Sequence, residues 1–269
     1  MAEPTFTIRA SWALHAAAAV GLVMRPSLWP WMLGTVVADH LVLTAAGLWP
    51  RSSLLGPNWT RLPKAPSTAD AVAITIDDGP DPEITPEVLD VLARHDAKAT
   101  FFCIGERIAQ NAPLAREIVH RGHTIENHSQ RHLHSFSVLG PRGMREEIER
   151  AQNTIAAVTG EQSRFFRAPA GLRNPFLEPV LARLGLRLAS WTRRGFDTVN
   201  RDPQVVLAKL TRNLSARDIL LLHDGHAART PAGRPVILEV LPRLLEAFAA
   251  AELKPISLRS ALDQSGAPS

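Results

Sequence analysis

The stretch Ala71-Val72-Ala73-Ile74-Thr75-Ile76-Asp77-Asp78-Gly79-Pro80 decides the fold class of this chain. An apolar run ends abruptly in two carboxylates and a Gly-Pro turn, the pattern of a strand leaving the core at its C-terminal end. Helical spacing follows at Val88, Leu89, Val91 and Leu92, and then a second apolar run from Ala99 to Ile104. Strand, helix, strand is the result.

The same rhythm runs on to the end of the sequence. Helices are expected near Arg107 to Arg121, Arg142 to Val158, Pro175 to Leu184, Pro203 to Leu214 and Pro235 to Ala250. Strands are expected around His123 to Glu126 and near Phe165, Leu188 and Ile219, with a last short run from Pro255 to Leu258 before a terminal turn. Repeated β-α units predict a parallel sheet, and about seven of them can close into a barrel with its site at the strand C-termini. The expected fold is therefore α/β, a distorted (β/α)7-type barrel preceded by a hydrophobic helical segment.

At 269 residues the chain is long enough for one catalytic domain of about 200 residues plus an appendage. Its 45% hydrophobic and 21% charged residues are ordinary globular values and suggest neither a wholly disordered nor a polytopic membrane protein. The net charge is only +4, and the arginines are scattered without interleaved aromatics, so nucleic acid is not an expected partner. The lone Cys103 sits in Thr100-Phe101-Phe102-Cys103-Ile104 and reads as a buried strand thiol.

The first fifty residues differ from the rest. Ala10 to Met24 carries no formal charge, and Leu28 to Pro50 holds only Asp39 with His40. The chain opens Met1-Ala2-Glu3-Pro4 and stays apolar to Trp49, which favours a retained membrane anchor over a cleaved signal peptide. A helical hairpin buried against the catalytic domain is the competing reading. If both stretches cross the membrane, Arg9, Arg51, Arg61 and Lys64 flank the ends against Arg25 in the loop, so the positive-inside rule puts the catalytic domain on the cytoplasmic face. Arg51 to Ala69, rich in proline, reads as an extended linker. The expected division is 1–69 for the hydrophobic segment and linker and 70–269 for the catalytic domain.

Four short motifs carry chemistry. Adjacent Asp77 and Asp78 repel unless a cation or a proton lies between them, so one could hold a metal while the other acts as base. Taken alone, Asp-Gly-Pro is also an ordinary acidic turn. His128 and His132, an i, i+4 pair beyond the strand ending at Glu126-Asn127, could chelate one divalent ion from one face of a helical turn. Arg167 in Phe165-Phe166-Arg167-Ala168-Pro169, read by itself, is a surface arginine. His223, in Leu221-Leu222-His223-Asp224-Gly225, ends a buried strand and is suited to donate a proton near neutrality.

The order Asp-Asp-Gly-Pro, His-Ser-x-x-His, Arg-x-Pro, Leu-x-His-Asp, spread over Ala71 to Leu258, resembles the NodB-homology polysaccharide deacetylases, carbohydrate esterase family four. The resemblance implies Asp77 as general base, Asp78 with His128 and His132 as metal ligands, and His223 as general acid. It implies Leu221 as the wall of the pocket for the acetyl methyl group and Arg167 as the arginine that orients the base. Asp197 corresponds more loosely to the aspartate that tunes the acid histidine, since the usual flanking tryptophan is missing. Ala170 stands where many members carry tyrosine; its backbone N–H could still serve the oxyanion, while the substrate-binding surface must differ.

The implied activity is metal-dependent hydrolysis of an N-acetyl or O-acetyl group on a polysaccharide, an oligosaccharide or a lipid-linked amino sugar. The expected cofactor is one divalent ion, zinc before cobalt, nickel or manganese. Hydrolysis of another amide, a formamide or a cyclic ureide, on the same fold is the alternative, and a metal- and carbohydrate-binding pseudoenzyme is a further one.

Overall fold

Two helices open the chain in this computed structural model, which describes residues 4–264; residues 1–3 and 265–269, the outer ends of the two expected segments, lie outside the described residues. Helix α1 (Phe6–Met24) and helix α2 (Trp29–Leu48) are apolar on all faces and form a hairpin. Both are long and apolar enough to cross a membrane. Only Ser11, Ala18, Ala46 and Gly47 are buried in them, so the hairpin is not packed into the catalytic domain along its length. The polar cost of the second helix is met inside the hairpin: Ser11 Oγ donates to Asp39 Oδ2 at 2.7 Å. His15 and His40 bring Nδ1 to 2.8 and 2.9 Å from the carbonyls of Ser11 and Val36, one turn earlier in their own helices.

The hairpin base is fixed to the rest of the molecule. Thr5 Oγ1 donates to Leu54 O at 2.8 Å, and Arg173 N donates to Gly47 O at 3.1 Å. A Cβ on Gly47 would lie 2.2 Å from Arg173 O, so only glycine permits this approach. The proline-rich stretch that follows is extended, yet it lies against the barrel. Trp59 exchanges backbone hydrogen bonds with Leu188 and Ser190, Leu62 N donates to Arg217 O, and Leu55 and Leu62 are buried.

The remaining elements are β1 (Ala71–Asp77), α3 (Thr85–Arg94), β2 (Ala99–Cys103), α4 (Gly105–Gln110), α5 (Ala112–His120), β3 (Thr124–Asn127) and α6 (Pro141–Thr159). Then come β4 (Phe165–Phe166), α7 (Leu177–Arg183), β5 (Arg187–Leu188), β6 (Arg193–Arg194) and α8 (Pro203–Thr211). The chain closes with β7 (Ile219–His223), α9 (Val236–Ala250), β8 (Lys254–Pro255) and α10 (Leu258–Gln264).

The strands lie side by side as β5-β4-β3-β2-β1-β7-β6, all pairings parallel, with β8 beside the start of β1. The two ends of this curled sheet do not hydrogen-bond to each other among the named strands. Instead Trp59 bridges to Ala189 and Arg61 to Asp218, so the proline-rich segment fills the gap. The expected distorted (β/α)7-type barrel is the fold observed. One apolar cluster packs the outer sheet face under α3, α5, α8 and α9, and a second, with Phe102, Phe165, Trp191 and Leu221, fills the barrel interior. Each fully buried side chain of this size contributes about 1.5–3 kcal/mol.

Two local expectations are corrected. The single helix over Arg107 to Arg121 is split at Asn111, whose φ of −124° is not helical, because Pro113 lacks the N–H that would continue the ladder. Strand β6 was not expected, since two adjacent arginines carry no apolar pattern. Cys103 is buried at the end of β2 as expected.

Candidate active site

Asp77 is the last residue of β1 and Asp78 the first of the turn, with Asp78 at a φ of 75°. That left-handed residue turns the second carboxylate away from the first, so the two acids have different partners. Glycine makes the crossing of the β1 and β7 loops possible: a Cβ on Gly225 would lie 2.3 Å from Asp78 O.

Asp77 is bound to Arg167, which the third motif read alone assigned to the surface. Arg167 is instead 1% exposed. Its Nη1 donates to Asp77 Oδ1 at 2.6 Å and to Thr75 Oγ1 at 2.8 Å, Nη2 to Ser190 O at 2.8 Å, and Nε to Ala189 O at 3.1 Å. The guanidinium carbon lies 4.1 Å from the centre of the Phe102 ring. A buried guanidinium is tolerable here because its donors are matched by the Asp77 carboxyl and by three further acceptors.

Asp78 faces the histidines. Its Oδ1 lies 3.3 Å from Nε2 of both His128 and His132. Neither contact has hydrogen-bond geometry, and Oδ1 is buried with no partner. Asp78, His128 and His132 offer ligand atoms all within 4.8 Å of one another. Burial opposes its charge, but His128 and His226 hold the Asp78 carboxyl well below the usual range. Burial above all pushes His132 down to about 4, which leaves its ring neutral. His128 Nδ1 lies 2.8 Å from Arg167 O, which aims Nε2 at Asp78; burial works against a charged ring, yet Asp77 and Asp78 raise the His128 value. An orphaned, buried, anionic oxygen between two imidazole Nε2 atoms fits a divalent cation.

The His-x-x-x-His pair is not on a helical turn. Residues 128–132 form an irregular loop in which Ser129 and His132 have φ of 64° and 51°. Side chains replace the helical hydrogen bonds: Ser129 N donates to Asn127 Oδ1 at 2.9 Å and His132 N to Ser129 Oγ at 3.1 Å. The buried Glu147 on α6 ties the loop down, accepting from Arg131 N at 3.1 Å and Arg131 Nε at 2.7 Å.

His223 closes β7 beside Asp77 of β1. Its Nδ1 lies 2.9 Å from Asp197 Oδ1, and its backbone N–H donates to Asp197 Oδ2 at 2.7 Å. Burial works against a charged ring, yet Asp197, with Asp77 and Asp78 behind it, raises His223 to about 9. Leu221 is buried in the barrel interior next to Thr75 of β1 and Arg194 of β6. Ala170 is exposed in a turn with a φ of 54°, a strained conformation for a residue with a Cβ.

A protein-family model described as polysaccharide deacetylase matches residues 64–189. The chain is 32% identical over 183 residues to a peptidoglycan-N-acetylglucosamine deacetylase of Bacillus cereus, covering 67% of this chain and 84% of that one. This chain belongs to the polysaccharide deacetylase family. A chitooligosaccharide deacetylase of Sinorhizobium fredii is 33% identical over 70% of this chain and 89% of its own. Among solved structures, a family 4 carbohydrate esterase from Streptomyces lividans in complex with acetate superposes with a TM-score of 0.63, at 31% identity over 71% and 95% of the two chains.

Three neighbours of the centre, His226, Arg107 and Thr85, escaped sequence reading. His226 Nδ1 lies 2.8 Å from Asp78 Oδ2, and Arg107 Nη2 lies 3.2 Å from the other nitrogen of the same ring. Asp224 is buried, accepts from Thr85 Oγ1 at 2.5 Å, and is raised to about 7 by burial. His226 had one available signal, its place three residues after His223. Arg107 and Thr85 had none, because they lie on other helices and only the packing brings them in. A cleft of ≈ 440 Å³, lined by Arg107, Arg131, His132, His134 and His226 among others, opens on this side of the centre.

Proposed function

We propose that this chain is a divalent-metal-dependent deacetylase that hydrolyses an N-acetyl, or O-acetyl, group on an amino sugar. The substrate classes are those named for its relatives, peptidoglycan and chitooligosaccharides, together with lipid-linked amino sugars. The observation that carries this reading is the division of labour in the acidic pair. Asp77 is held by Arg167, while Asp78 Oδ1 is left unpaired between the Nε2 atoms of His128 and His132.

In this reading Asp78, His128 and His132 hold the ion, zinc before cobalt, nickel or manganese for such a mixed nitrogen and oxygen set. When bound, the ion supplies Lewis acidity to the acetyl carbonyl and to the attacking water. Asp77 takes the proton from that water as its oxygen bonds to the acetyl carbon. Arg167 holds Asp77 in position through its hydrogen bond to Oδ1. The N–H of Ala170 stabilises the charge that develops on the carbonyl oxygen, and Leu221 receives the methyl group. His223, charged near neutrality, gives its Nε2 proton to the sugar nitrogen as the C–N bond breaks, leaving acetate and a free amine. Asp197 fixes its tautomer and stabilises the imidazolium.

We assign residues 1–69 to a membrane-anchoring segment with its linker and residues 70–269 to the catalytic domain. In support, Trp29 and Trp31 stand exposed at the hairpin tip and Trp49 at its base, as an interfacial aromatic belt at each end requires. The positive flanks favour a cytoplasmic catalytic domain. Acetate release from N-acetylated chitooligosaccharides, measured with and without chelator, tests the activity. Turnover that survives complete metal removal, or none with any acetylated sugar, refutes it. A chain fully soluble without detergent refutes the anchor.

A further inference from the structure

On the flank of the barrel next to the hairpin base lies a second groove, of ≈ 590 Å³. We propose that it binds the phosphate of a lipid-linked N-acetylated amino sugar, and so selects that substrate class over neutral glycans; this rests on the deacetylase reading above. Its walls are Trp49, Arg51, Trp191, Arg194, Lys209 and their neighbours, and among the described residues no acidic side chain lines it. Arg193 is neutralised by Asp218 and by the carbonyls of Arg212 and Asn213. Arg51 Nη1 donates to Thr192 O at 3.3 Å, and neither Arg194 nor Lys209 has an acidic partner among the described residues. Arg194 has a buried Nε without a partner, and its guanidinium lies 5.4 Å from the Trp191 ring and 5.0 Å from the Phe196 ring. Lys209 Nζ lies 5.0 Å from the Phe196 ring. Stacked guanidinium and ammonium groups with no counter-charge attract a phosphate, and arginine is the side chain best matched to its geometry.

Two contacts tie the groove to the catalytic centre and to the hairpin. Gly171, next to Ala170, approaches both Trp191 and Pro50 so closely that a Cβ there would lie 2.6 and 2.8 Å from their side chains. Arg194 pairs in register with Leu221, two residues before His223 on the same strand. Trp49 and Pro50, in turn, directly follow α2. A phosphate held by Arg194 and Lys209 would therefore sit between an apolar helix end and the acetyl pocket, where a lipid-phosphate-sugar has its own phosphate. The groove volume lies within the range of about 300–1,000 Å³ usual for small-molecule sites.

The test uses the full chain, metal-loaded, in lipid nanodiscs. Two synthetic substrates are compared: farnesyl phosphate linked to N-acetylglucosamine, and the same lipid glycoside without the phosphate. The wild type is expected to prefer the phosphate form by about tenfold or more in kcat/KM, mainly through KM. Arg194→Gln with Lys209→Gln should bring that ratio to about one, and Lys209→Gln alone, on an exposed helix position, should give an intermediate ratio without affecting folding. Equal use of both lipids by the wild type overturns the proposal while leaving the deacetylase reading intact. So does a ratio unchanged in the double variant, whether or not that variant loses adsorption to phosphatidylglycerol vesicles. Inorganic diphosphate binding as tightly as the lipid phosphate would make this a free-phosphate site and also overturn it. If no substrate releases acetate, the deacetylase reading fails, and quenching of tryptophan fluorescence by farnesyl phosphate, but not by farnesol, still decides the groove: quenching lost in the double variant supports it, and quenching retained or absent overturns it.

Discussion

Two clusters in this molecule contain the same three side chains, two histidines and an aspartate, and only one leaves a buried carboxylate oxygen unpaired. His15, Asp39 and His40 in the hairpin, like Asp78, His128 and His132 in the barrel, bring their ligand atoms within 4.8 Å of one another. In the hairpin the Asp39 carboxylate accepts from Ser11, and the cluster stands partly open to its surroundings. In the barrel Asp78 Oδ1 is buried, anionic and unpaired. Leaving a charged acceptor without a partner costs more than any neutral hydrogen bond returns, so the proposed metal site is the barrel cluster and not the hairpin cluster. Residue composition made the two clusters equal; desolvation and hydrogen bonding separate them.

The largest effect expected from this contrast is the loss of one barrel ligand. Asp78→Ala or His132→Ala should reduce bound metal from about one ion per chain to near zero and abolish turnover. Metal analysis of the purified variants checks this, and full occupancy in either would break the comparison. Next comes Asp77→Asn, which should keep the metal and lose about a hundredfold or more in rate. Turnover equal to wild type would remove Asp77 from the role of base.

The pH profile gives a smaller effect with a definite sign. His223 is raised to about 9, so its acid form is complete near neutrality and is lost as pH rises through that value. Activity should therefore fall on the alkaline side. In Asp197→Asn the counter-charge is gone, the His223 value drops, and the fall should begin at lower pH. A pH–rate profile with the same alkaline limb in both proteins would move the acid role to another group. The smallest effect belongs to the hairpin: Asp39→Asn should leave the metal content unchanged, because Ser11 can still donate to the amide oxygen. A drop in bound metal in that variant would make the hairpin cluster a genuine site.

The sequence by itself determined the parallel α/β order and the polar ends of β1, β3 and β7. Apolar runs bounded by Asp77, Asn127 and His223 are read directly from alternation of strand and helix patterns, and local signals suffice where burial follows the pattern. The convergence of His128 and His132 on Asp78 was legible too, though for a mistaken local reason. His128 and His132 converge through a loop with left-handed residues at Ser129 and His132, held by Asn127 and Glu147, and not through a helical turn. Only the tertiary structure decided that Arg167 is buried, because its partners Thr75, Asp77, Ala189 and Ser190 come from distant segments. The same holds for His226 and Arg107 beside Asp78, and for the proline-rich segment filling the gap in the sheet. The physical reason is common to all three. A strand or a turn is fixed by interactions within a few residues, whereas the fate of a charged or extended segment depends on which distant groups can satisfy it once water is removed.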